Sequence, residues 1–280
     1  LKQPPMTDCR TIYYARALIR LLLTGFFVDY DLFRYTASKT LNMAFEQGLF
    51  PEIEVVLADY VLHLLNCEQY EFASQLIEIA RQIADKTHGL KAEIWHFQSA
   101  AVDIWVHPWE ESIRNYYTAL AYCAEEGNQE YTGYALDTLV NDILCKGDPL
   151  TAFEAAVENA LTQLWKIQHN VMSVGVGMYR QFIRCIRNET YGPATFESAQ
   201  FSEKEYLRKN AGNSLLSAYL YGLESFAFYV NGEYMAAYQA ACRGKAHRQA
   251  SGCFHHSLYL KFYAALTYPV IIDTLAEKDK

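Results

Sequence analysis

The chain has 280 residues, of which 51% are apolar, 20% charged and 15% aromatic, with 22 tyrosines and seven prolines. That much apolar material excludes disorder, a net charge of −8 argues against a nucleic-acid surface, and so few prolines favour long helices. Seven scattered cysteines with no CxxC pair point to buried thiols in a reducing, cytoplasmic setting rather than to a disulfide frame or a zinc site.

The helices can be marked off in chain order by their start and stop residues. Asp8 is the expected N-cap of a helix running to about Thr24, with Gly25 just past its end. The next is expected from Asp31 to Gln47, stopping at Gly48. Pro51 then opens a third, with Glu52 and Glu54 at its positive end and apolar residues at Ile53, Val56, Leu57, Tyr60, Val61 and Leu64. The following stretch places Phe72, Leu76, Ile79, Ala80 and Ile83 on one face and ends at Gly89. Another places Ile94, Phe97, Ala101, Ile104 and Trp105 together and stops at Pro108. His63 and His96 fall on the polar sides of their helices and are expected to be solvated.

A longer regularity organises these helices. Pro108 and Pro149 stand 41 residues apart, each opening the second helix of a pair, and Tyr70 holds the equivalent place 39 residues before Trp109. The second helices carry short alanine-containing stripes, "FASQLIEIA", "YYTALAYCA" and "AFEAAVENAL", which permit close helix approach. Such pairs cannot bury their apolar faces alone, so the expected fold is all-α. It would be an α-solenoid of stacked antiparallel helix pairs in a TPR-like superhelix. The expected organisation is a helical-repeat stack over 1–187 and an irregular loop with one short helix over 188–213. C-terminal helices over 214–280 would then continue or cap the stack, with a turn at Gly232-Glu233-Tyr234.

Three segments carry a resemblance to a known family: "PPMTDCRTIYYARALIRLL", "AFEQGLFPEIEVVLADY" and the run from "HGLKAEIWHFQSAAVDIWVHPWEES" to "DILCKGDPL". They resemble the helical central region of large bacterial, especially cyanobacterial, multidomain signalling proteins. In that family a Ser/Thr-kinase-like domain and a P-loop ATPase precede the helical region, and GAF or PAS sensors with a histidine kinase or cyclase follow it. The resemblance covers about the first half of the chain. It implies a connector or regulatory segment, and the opening "LKQPPMTD" also reads as a point inside a longer protein. No P-loop, kinase or histidine-kinase signature is present, so no activity transfers with the resemblance.

Single residues add one candidate site. Arg180, Arg184 and Arg187 recur at i, i+4 and i+7 on one helix face, either forming ion pairs with neighbouring glutamates or offering a docking strip for an acidic peptide, carboxylate or phosphate. Tyr179 would be an aromatic contact beside them. His255-His256 next to Cys253 diverge by about 100° on a helix and favour packing or surface roles over a metal. Glu110-Glu111 and Glu125-Glu126 lie near helix ends without an apolar pocket, and Gly175 and Gly177 read as a glycine pair on a helix face. No catalytic residue, metal ligand or cofactor is expected. The stretch from Ala15 to Val28 is too short and too charged to cross a membrane. The expectation is therefore a non-catalytic interaction or signal-relay scaffold whose partner is a protein, a peptide or a neighbouring domain. The alternative is a helical domain that senses a small-molecule effector.

Overall fold

The computed structural model describes residues 3–87, 89–247 and 253–278, and among them the chain is all-α. It divides into two compact units, Leu1–Gly147 and Asp148–Lys280. Each is a stack of antiparallel helix pairs.

The first unit opens with α1 (Cys9–Val28) and α2 (Tyr30–Gln47). Asp8 caps α1 by accepting from the backbone of Thr11 at 3.0 Å, and Asp29 caps α2 through the amides of Asp31 and Leu32. Gly25 does not end α1; it lies inside the helix. A Cβ there would meet the Phe33 backbone nitrogen at 2.8 Å, so glycine is needed for the α1–α2 approach rather than for a cap. Gly48 does end α2, with φ of 104°. The extended segment before α1 then clips on beside it, Leu49 donating to the Pro4 carbonyl and Met6 to the Leu49 carbonyl, both at 2.8 Å.

Helix α3 (Ile53–Asn66) is buried almost all round, from Ile53 through Leu65, and is packed by α2, α4 and the helix that follows. On α4 (Tyr70–Thr87) the buried face is Ala73, Leu76, Ile77, Ala80 and Ala84, while Phe72 and Ile79 are exposed. Ala73, Ile77 and Ala84 join Leu76 and Ala80 on the contact side while Phe72 and Ile79 are turned out, which shifts the expected stripe round the helix. The next helix is broken in register: α5 (Ala92–Phe97) passes through a π turn (Gln98–Asp103) into the short α6 (Ile104–Val106). Pro108 caps α7 (Trp109–Glu126), and Gly127 and Asn128 turn the chain into α8 (Gln129–Lys146).

In the second unit, α9 (Leu150–Lys166) starts at Pro149 and has α10 (Asn170–Ile186) as its hairpin partner. The stretch 188–202 is without helix but is held in place. Asn231 donates to the Pro193 carbonyl at 2.9 Å, and the fully buried Phe196 meets Phe228 edge-on at 5.8 Å. The short α11 (Glu203–Lys209) follows, its Tyr206 hydroxyl donating to the Leu216 carbonyl at 3.0 Å. Then come α12 (Ser214–Val230), α13 (Tyr234–Gly244) and α14 (His255–Lys278), with α12 buried on nearly every side. No helix among the described residues is long and apolar enough to cross a membrane.

Candidate functional site

The arginine stripe lies on α10, and the structure gives two of its three members intramolecular partners. Arg180 donates through Nε to Glu158 at 2.6 Å and through Nη2 to the same carboxylate, and its guanidinium sits 5.3 Å from the Trp165 ring centre. Arg187 forms a second fork with Glu154, at 2.8 and 2.6 Å. These hydrogen bonds hold both glutamates on α9 below the usual carboxylate range and raise both arginines. Arg184, half-buried, adds attraction on Glu158. Tyr179 is in the core instead of beside the arginines. It is fully buried against Phe153 and Tyr219, with its hydroxyl 3.4 Å from His256 Nε2. His256 in turn stacks on Tyr219 at 3.6 Å, and both histidines of the pair are buried.

A polar centre that the sequence did not announce lies inside the first unit. Asp59 stands in the middle of the apolar α3, and burial raises its carboxyl well above the ordinary range, helped by Glu93 on α5. Burial likewise raises Glu93, to about 7, against the opposing hydrogen bond from Tyr131 on α8. His96, one turn further along α5, is not solvated. Only 4% of it is exposed, it contacts the rings of Tyr131 and Tyr134, and desolvation lowers it to about 3. At neutral pH this centre therefore holds a neutral imidazole and carboxyls that resist ionisation. The signal in the sequence was Asp59 interrupting "VVLADYVLHLL", an acid without a polar face to sit on.

The neighbouring π turn is also polar and fully buried. Asp103 accepts from Gln98 and, at 2.7 Å, from Asn115, while the Ser112 hydroxyl lies within hydrogen-bond reach of Asp142 and 3.1 Å from the Ser99 carbonyl. Side chains from α7 thus satisfy groups that the register break leaves open. Glu126 does the same at the start of α5, accepting from the amides of Lys91 and Ala92 at 2.6 and 3.0 Å. These groups answer one another, as in a structural network. Among the described residues no group of three or more His, Cys, Asp or Glu is placed to hold a metal ion.

An open surface of different chemistry lies along α1 and α2. Arg10, Thr11 and Tyr14 of α1 and Lys39, Met43 and Gln47 of α2 line one groove. Neither Arg10 nor Lys39 forms a salt bridge among the described residues, in contrast to Arg180 and Arg187. Tyr35 lies one turn from Lys39, and Leu21 two turns beyond Tyr14, on antiparallel helices; both are exposed, as are Tyr13 and Phe45. The groove therefore combines two cations that form no salt bridge among the described residues with tyrosine and aliphatic contact area. No protein-family model matches the chain, and no curated protein matches it.

Proposed function

We propose that the chain is a non-catalytic protein-interaction scaffold, and that the α1–α2 groove receives an acidic segment of a partner protein that carries an aromatic residue. The observation that carries this reading is the pair Arg10 and Lys39. They are cations without salt-bridge partners among the described residues, lining one groove with Tyr14, in a chain whose net charge is −8. Exposed tyrosines beside positive charge supply rigid contact area together with charge complementarity, which sets partner choice and association rate. The arginine fork on α10 serves the second unit as intramolecular ion pairing, so its capacity for a partner is the smaller. The resemblance of the first half to helical regions of multidomain signalling proteins supports a relay role between neighbouring domains.

A peptide array of systematically varied charge tests the reading. Peptides with several Asp or Glu around a Tyr, Phe or Trp should be retained, and their neutral amide counterparts should be lost. Retention independent of charge, or steady nucleotide hydrolysis by the purified chain, would overturn it.

A further inference from the structure

The open side of the first helix pair extends well beyond the groove at Arg10 and Lys39. Along α1, Arg10, Tyr14, Ala17, Leu21, Thr24 and Val28 are all exposed, and they recur at alternating steps of four and three residues. That is the period at which one helix meets another in left-handed helix packing, and the stripe runs for about 27 Å. Leu32 and Tyr35 stand seven and four residues before Lys39, on the same side of α2, and both are exposed. At the hairpin end the two helices close on each other, Gly25 leaving no room for a Cβ against the Phe33 backbone. The groove lies at the other end. The face is therefore graded, with cations at one end and Leu21, Val28 and Leu32 toward the other. Arg16, round the helix from the stripe, is tied to Glu52 at 2.7 Å, whereas Arg10 and Lys39 form no salt bridge among the described residues. Asp8, two residues from Arg10, directs its carboxylate to the Thr11 amide as the cap of α1.

We infer that this face receives an amphipathic α-helix of a partner protein, about 18 residues long. Its acids pass Arg10 and Lys39, and its apolar side chains, at four-three spacing, pass Leu21, Val28 and Leu32. The inference rests on the groove's proposed role as acceptor of an acidic segment and adds that segment's conformation, length and register. Spacing selects the helix. Successive residues of the stripe lie about 5 Å apart along α1, which is the step of a partner helix, whereas one face of an extended chain steps about 7 Å. The surface also has no sheet edge at which an extended strand pairs, because the backbone groups of α1 and α2 are spent within the helices. A second copy offering the same face is a poorer occupant. Two-fold pairing sets Arg10 and Lys39 against the same cations or against Leu21 and Val28, and neither supplies an acid.

Fluorescence anisotropy on the whole chain with three labelled peptides tests this. Two are isomers of one composition, about 18 residues long, with glutamates gathered at one end. One carries its Leu and Tyr at four-three spacing, the other at every second position. The third is a short peptide of several Glu around one Tyr, which reaches only the groove. The helix-patterned isomer should bind about 10-fold or more tighter than the alternating one, because it alone buries apolar area on Leu21, Val28 and Leu32. Leu21→Gln/Val28→Gln should abolish that gain and leave the short peptide's affinity unchanged, both side chains being exposed and outside the groove. The helix-patterned peptide, isotope-labelled, should show helical carbon shifts when bound. Equal affinity of the two isomers, or a gain that survives Leu21→Gln/Val28→Gln, would overturn the helix; the acidic-segment reading still stands if the short peptide is held. Loss of all three peptides would overturn both. Self-association of the parent chain in sedimentation velocity that Leu21→Gln/Val28→Gln removes would overturn the inference in favour of a second copy.

Discussion

The two units bury polarity to different degrees. In the first, carboxyls and an imidazole go into the interior: Asp59, Glu93, His96, Asp103 and Asp142 lie among α3, α5, the π turn and α8. In the second, rings fill much of the interior, Tyr179 against Tyr219, Tyr219 on His256 and Phe196 against Phe228, with one carboxyl, Glu224, buried beside Arg243. The forked ion pairs of Arg180 and Arg187 stay at the surface. The first unit should therefore answer to pH through several carboxyls and an imidazole, and the second chiefly to loss of ring volume, with Glu224, raised by burial, and His256, lowered by it, as its buried titratable groups. The same fold plan is held together by two different chemistries.

The largest expected effect falls in the second unit. Tyr179→Ala removes a fully buried ring and should cost about 3–5 kcal/mol, read from denaturant unfolding. A surface binding residue would cost almost nothing, so this substitution separates the two roles sharply. Next is Gly25→Ala in the first unit. The added Cβ meets the Phe33 backbone, which cannot swing aside, and about 1–3 kcal/mol should be lost.

The pH response comes third and carries two signs. Glu93 is raised in the folded state from 4.5 to about 7. Its contribution is complete below 4.5 and is lost as pH rises through 7. His96 is lowered from 6.5 to about 3, so its contribution is complete above 6.5 and is lost as pH falls toward 3. Thermal melts across pH should show Glu93→Gln gaining on the parent chain between pH 4.5 and 7. His96→Leu should gain on it between pH 6.5 and 3. If both variants track the parent at every pH, the polar centre is not where the first unit's pH dependence resides. The smallest effect is expected for Glu154→Gln and Glu158→Gln, a marginal loss in the denaturant midpoint that fades in salt, because these pairs lie at the surface.

Much of the helix plan was legible because it rests on local chemistry. Asp8, Gly48, Pro108 and Pro149 act where their side chains and backbone limits require. Helix phase was less legible. On α4, Phe72 and Ile79 look like core residues, yet three alanines with Leu76 and Ile77 form the buried face, since the closeness of the neighbouring helix decides which side is covered. Gly25 looks like a stop and is a contact. The turns at Glu68 and Gln168 use non-glycine residues at positive φ and give no compositional signal. Of the candidate site, the arginine periodicity was readable but its glutamate partners on α9 were not, because pairing across helices depends on packing. Asp59 and Glu93 meet only through the stacking of α3 and α5, and Arg10 and Lys39 only through the α1–α2 hairpin.

The cations of the α1–α2 groove, Arg10 and Lys39, and not the paired arginines on α10, are proposed to receive the partner. Fluorescence anisotropy with an acidic, tyrosine-containing peptide selected on the array tests it most directly, comparing Arg10→Glu/Lys39→Glu with Arg180→Gln/Arg184→Gln/Arg187→Gln. The groove variant should weaken binding by about 10-fold or more and remove most of its salt dependence, with the stripe variant close to the parent chain. Loss of binding in the stripe variant, with the groove variant unaffected, would contradict it.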